Sequence, residues 1–201
     1  MTIEPRMPHY FNRQSSIINN QSEEPMPRYL PVQIDAASAR VKAVYADVQQ
    51  SIAHVPNFIK TVAHNDRLLK PIADAFLSVT GESSLNEKTR QLVILRTCQL
   101  DKCKYTIDRH MLLARQAGWS DDHLKVMDDY NQTDLFSYYD KEALKLVEMV
   151  RSTPDEISNE FWTQLDNHYT SDQVVEMVTL IGLFGMINRL ILTLQIEPDA
   201  L

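Results

Sequence analysis

Two residues able to perform covalent or proton-transfer chemistry lie close together near the middle of this chain, Cys103 and His110, with Thr106 between them. A thiolate attacks peroxides and other electrophiles, and a histidine moves protons near neutral pH. Together they would make a nucleophile and its proton carrier. On a helix beginning at Lys102 the three residues have spacing i, i+3 and i+7. At ~100° per residue they fall within about 60° of one another on one face. Cys103 would then sit in the first turn, where unpaired amides and the helix dipole favour a thiolate. Lys102 and Lys104 push the same way, and Asp101 opposes them. A plainer reading fits the same residues, with Cys103 a small core side chain and His110 a satisfied core histidine. Spacing alone leaves both open.

The elements that would hold these residues read as helices. Asn86 is placed to cap one, with Glu87 and Lys88 in its first turn and Leu92, Val93, Leu95 and Arg96 along it to about Leu100. Asp101 reads as the N-cap of the next, from Lys102 to Ala117, with Gly118 as a left-handed stop. Upstream, Val41, Val44, Tyr45 and Val48 share a face of a helix that ends before Pro56. A short helix over 57–64 follows, then one over 66–79 with Leu69, Ile72, Ala73 and Phe76 as its buried stripe and Gly81 as its stop. Downstream, Ser120 caps a short helix to about Tyr130, and further helices are expected over 141–151 and 156–167. The last begins near Ser171 and is apolar nearly all round, so it requires cover on most sides, inside the subunit or between subunits.

Composition agrees with an all-α, single-domain helical bundle. The chain has 201 residues and only four glycines, few for a sheet protein rich in tight turns. Residues 1–31 hold Pro5, Pro8, Pro25, Pro27 and Pro31 among Asn, Gln and Ser, and read as an arm, flexible or draped on a neighbouring subunit. The helical domain then occupies 32–201. A net charge of −7 repels phosphate backbones and argues against nucleic acid as a partner. No uncharged apolar run approaches the ~20 residues of a membrane span, and the opening MTIEPRMPHYFNRQ lacks the apolar block of a signal peptide. Two cysteines, Cys98 and Cys103, make no disulfide framework, and a reducing cytoplasm suits them. The histidines at 9, 54, 64, 110, 123 and 168 show no metal-ligand spacing, and no glycine-rich phosphate loop occurs, so neither a metal nor another cofactor is expected.

The segment from Gln91 through Cys98, Asp101, Cys103, Tyr105, Thr106 and Asp108 to His110 resembles the signature of the carboxymuconolactone decarboxylase superfamily, which includes alkylhydroperoxidase D. Val55-Pro56-Asn57-Phe58, the stretch His110 to Gly118, Asn188-Arg189 and Ile196-Glu197-Pro198-Asp199 are similar too, so the resemblance covers roughly residues 30 to 199. It implies an alkylhydroperoxidase D-like bundle, assembled as a trimer or hexamer. In the peroxidase branch a Cys-x-x-Cys precedes a His, with a Glu on the preceding helix. Here the first Cys corresponds to Cys103 and the His to His110, while Thr106 stands for the second Cys and Gln91 for the Glu. Threonine forms neither sulfenic acid nor disulfide, and a glutamine carries no proton at neutral pH, so the dithiol cycle of that branch is not expected. A disulfide from Cys98 to Cys103 is not expected either, because five residues on one helix put them ~140° apart.

What the resemblance then implies is an antioxidant, peroxiredoxin-like oxidoreductase using Cys103 and His110 with Gln91, Thr106 and Tyr105 in support, a peroxide or organic acid as substrate and an external thiol reductant. The decarboxylase branch implies instead an acid–base site at His110 acting on a lactone carboxylic acid, with Arg90, Arg96 and Arg109 as candidate anion partners. A relative that binds small molecules without catalysis is the third expectation.

Overall fold

In the computed structural model, residues 26–199 are described. The helices are α1 (Ala39–Ile52), α2 (Asn57–Val62), α3 (Asp66–Thr80), α4 (Glu87–Leu100), α5 (Lys104–Gln116), α6 (Asp121–Lys125), α7 (Tyr138–Ser152), α8 (Asn159–Asp166) and α9 (Ser171–Leu194). No strand occurs among the described residues. Most of the expected arm, residues 1–25, lies outside them. The adjoining stretch is tied to the chain's own body: Arg28 N–H donates to Leu194 O, Val32 N–H donates to Lys60 O, and Tyr45 OH donates to Val32 O.

Helix α4 is the hub. Nine of its residues, Thr89 and Gln91 through Cys98, are buried, and it packs against α5, α7 and α9. A segment covered on several sides has no solvated stripe, which is why its periodicity is weak in the sequence. Its start is held twice. Asn86 Oδ1 accepts from Thr89 N–H at 2.9 Å, as the sequence predicts. Glu176 on α9 clasps the preceding loop, accepting from Ser84 N–H at 2.8 Å and from the hydroxyls of Ser83 and Ser84.

The α4–α5 junction departs from expectation. Asp101 ends α4 rather than starting α5, Lys102 takes a left-handed conformation (φ 56°), and Cys103 is the N-cap of a helix that begins at Lys104. The reason is a partner for Asp101. Its carboxylate is held by Arg151 of α7 and accepts from Asn188 Nδ2 at 2.8 Å, so it has no role as a cap. Gly118 does take the expected left-handed φ of +98° beyond the end of α5. The helix expected to reach Tyr130 divides into α6 and a 3-10 turn over Met127–Gln132.

Helix α9 begins with a capping box of Thr170 and Gln173 and drives Met177, Leu180, Ile181, Phe184, Ile187 and Ile191 into the core. By length and composition it passes as a membrane span, with a mean hydropathy of 1.8. Its contacts with α4, α7 and α3 make it the central helix of the bundle instead. Val175 and Leu192 on its outer side are 65% and 47% exposed, so one apolar strip of α9 lacks cover within the subunit.

Candidate active site

The bundle encloses a cavity of about 220 Å³ between the α1–α2 connection, α3, α4, α5, α9 and the C-terminal segment. Its apolar wall comes from Ile52, Phe58, Phe76, Ile94, Leu113, Phe184 and Ile187. Its polar wall comes from Glu87, Arg90 and Gln91 of α4, Tyr105, Thr106, Arg109 and His110 of α5, and His54 and Asp199 at one edge. An apolar enclosure with a few convergent polar groups is the usual form of a small-molecule site.

His110 is one of its lining residues. Its Nδ1 lies 2.8 Å from Gln91 Oε1, and its ring meets Phe184 edge-on at 4.9 Å. An amide oxygen only accepts, so Nδ1 carries the proton and Nε2 keeps a bare lone pair. Burial, then the charges of Arg109 and Arg90, push the imidazole down to about 3. His110 is therefore a neutral base throughout the physiological range. Gln91 in turn donates its Nε2 hydrogen to Glu87 Oε1 at 2.8 Å.

The arginines divide. Arg90 lines the cavity, pairs with Glu87 and donates to Gly81 O at 2.7 Å, while its buried Nε lacks a partner. Arg109 lines the cavity with no ion pair among the described residues. Arg96 does not reach it. Its guanidinium is buried on the far side of α4 between Asp128 and Glu148, each 2.5 Å away, where it ties the Met127–Gln132 turn to α7.

The two cysteines also lie off the cavity wall, although Thr106 and His110 are on it. Both are free and fully buried. Burial pushes the Cys98 thiol up to about 12, far from a thiolate at neutral pH. Thr106, at the position of the missing second cysteine, donates to Asn188 Oδ1 at 2.7 Å. Through Asn188 it joins the network of Asp101 and Arg151. Its hydroxyl thereby links α5 to α9 at the cavity wall.

Tyr105 donates to Asp199 Oδ2 at 2.5 Å, and Asp199 Oδ1 accepts from Asn57 N–H at 2.6 Å. Burial and the Asp199 carboxylate raise the phenol above its usual range, so Tyr105 acts as a neutral donor that holds the C-terminal segment at the cavity edge. His54 Nε2 lies 4.0 Å from Asp199. The sequence had singled out neither Glu87 as a site residue nor Asp199 as Tyr105's partner. Glu87 was recoverable from its i−4 position to Gln91, whereas the Tyr105–Asp199 pair spans 94 residues and leaves no local signal.

Residues 68–132, from α3 through α4, α5 and α6, match the family model of the carboxymuconolactone decarboxylase family. The uncharacterised protein YdfG of Bacillus subtilis is 30% identical over 112 residues, 55% of this chain and 76% of that one. The chain belongs to the carboxymuconolactone decarboxylase family. The uncharacterised protein YnjA of Escherichia coli is 28% identical over 119 residues, 59% of this chain and 65% of that one. Among solved structures, an uncharacterised peroxidase-related protein of Ralstonia eutropha with an alkylhydroperoxidase AhpD core superposes with a TM-score of 0.73 at 19% identity, over 87% of this chain and 93% of that one. A peroxidase-related protein of Silicibacter gives 0.74 at 18%, over 90% and 96%. The debrominase Bmp8 gives 0.69 at 17%, over 85% and 91%. At these identities the shared property is the fold, the alkylhydroperoxidase D-like bundle.

Proposed function

We propose that this family member is an acid–base enzyme acting on a small organic acid, with His110 as the proton carrier. One observation carries the reading: the cavity wall holds a neutral, amide-anchored His110 and the cations Arg90 and Arg109, and neither cysteine. His110 Nε2 takes a proton from a carbon next to a carbonyl, and the C–H electron pair moves onto the carbonyl oxygen. The cations offset the charge of the acid and of the enolate, and the imidazolium returns the proton to carbon. In the decarboxylation of a lactone acid, Nε2 takes the carboxyl proton, CO2 leaves with its C–C electron pair passing into the enolate, and the imidazolium delivers that proton to carbon.

The single-thiol peroxidase is the second reading, favoured by the fold's likeness to peroxidase-related proteins. It requires peroxide to reach a fully buried Cys103 and an external thiol to reduce the resulting sulfenic acid. The homo-oligomer belongs to both readings and is supported by the uncovered strip of α9 around Val175 and Leu192.

One experiment separates the two. Wild type, His110→Gln and Cys103→Ser are incubated in D2O with lactone acids and β-keto acids, following deuterium uptake and CO2 release. Peroxide consumption with dithiothreitol is followed in parallel. The acid–base reading expects turnover that falls about 10²–10⁴-fold in His110→Gln and survives in Cys103→Ser. Peroxide turnover abolished by Cys103→Ser, with no turnover of the acids, would replace it with the thiol reading.

A further inference from the structure

We infer that Glu87, one helical turn before Gln91, is a positioning residue that selects which nitrogen of His110 is the base. Its catalytic consequence rests on the acid–base reading above, but the tautomer it sets is measurable without any substrate. A glutamine side chain is symmetric in shape and presents either an oxygen or an NH2 to a given neighbour. Gln91 is buried between two groups on opposite sides, His110 Nδ1 and Glu87 Oε1, each at 2.8 Å. An ionised carboxylate accepts only, so the amide must turn its NH2 to Glu87. Its oxygen then faces His110, which fixes the proton on Nδ1 and the lone pair on Nε2.

Arg90 completes the device. It pairs with Glu87 Oε2 and leaves Oε1 for Gln91, so the two carboxylate oxygens have separate tasks. The arrangement orders the imidazole without placing a carboxylate against it. A direct Asp or Glu on Nδ1 would stabilise the imidazolium and raise its pKa, whereas an amide passes on orientation and no charge. Glu87 is half-exposed and outside the packed core, so its removal tests orientation more than folding.

The experiment is 15N NMR of ring-labelled histidine in the full chain between pH 5 and 8, with His110 assigned by its loss in His110→Gln. Wild type shows a protonated Nδ1 and a bare Nε2, with at least about tenfold preference over the other tautomer. That preference corresponds to one misdirected hydrogen bond. In Glu87→Ala the amide is free to turn and the preference drops to within about threefold of even. Glu87→Gln, which keeps an acceptor oxygen, recovers part of it. Deuterium uptake in the organic-acid assay falls in step with the Nδ1–H population. A Glu87→Ala spectrum identical to wild type, or a wild-type ring protonated on Nε2, would overturn the inference. Turnover of no organic acid together with the expected spectra would instead remove the acid–base reading and leave the positioning role of Glu87 intact.

Discussion

Among the described residues, two histidines meet a side-chain carboxylate or amide at hydrogen-bond distance, and they sit in opposite kinds of site. His110 is buried against the amide of Gln91, with Arg90 and Arg109 nearby and a cavity in front of it. His168 meets the carboxylate of Glu142 directly at 2.5 Å, packed on the rings of Tyr138 and Tyr139. That pair ties α7 to the turn between α8 and α9 and faces no part of the cavity. A carboxylate partner makes the imidazole a structural cross-link that is strongest when charged. Burial, with Arg109 and Arg90 nearby, keeps His110 neutral, and its amide partner adds no negative charge that would oppose them. The two sites thus differ in the partner as well as in burial: a carboxylate for His168, an amide for His110.

The largest expected effect breaks this comparison if it fails. His168→Gln keeps turnover of the organic acid within a few-fold of wild type while lowering stability by about 1–3 kcal/mol in denaturant unfolding, because the buried Glu142 loses its hydrogen-bond partner. A loss of turnover as deep as that of His110→Gln would mean the two histidines belong to one functional unit.

Exchanging the partner sharpens it. Gln91→Glu gives His110 a carboxylate of the kind His168 has, so the imidazole rises from about 3 by several pH units. In wild type, kcat/KM is flat from pH 8 down to about pH 4, since the base stays deprotonated. In Gln91→Glu an acid limb appears near neutrality. An unchanged profile would show that burial, Arg109 and Arg90, and not the amide, set the basicity of His110.

The last effect is read in stability. The folded pKa of His110 lies below its unfolded value, so between about 6.5 and about 3 the unfolded chain binds a proton that the folded chain refuses. The contribution is complete above pH 6.5 and is lost at up to roughly 1.4 kcal/mol per pH unit as pH falls through that window. Wild type minus His110→Gln, measured as unfolding midpoints across it, isolates the slope. Parallel curves for the two proteins would place the imidazole in solvent.

The sequence by itself determined the helices and their punctuation, because caps and stops are local. Asn86, Ser120 and Gly118 act where their chemistry says they should, and the stripes of Val41, Val44 and Val48 and of Leu69, Ala73 and Phe76 face the core. It also brought His110, Thr106 and Gln91 into one neighbourhood through the family resemblance. Only the tertiary structure decided which partners each of them meets. Cys103 left the first turn because Asp101 found Arg151 and Asn188, partners 50 and 87 residues away. Thr106 on the cavity wall is tied to Asn188, and Arg96 is held away from the cavity by Asp128 and Glu148. A side chain's charge state and role depend on which partners the fold brings within about 3 Å, and spacing along one helix does not encode those partners.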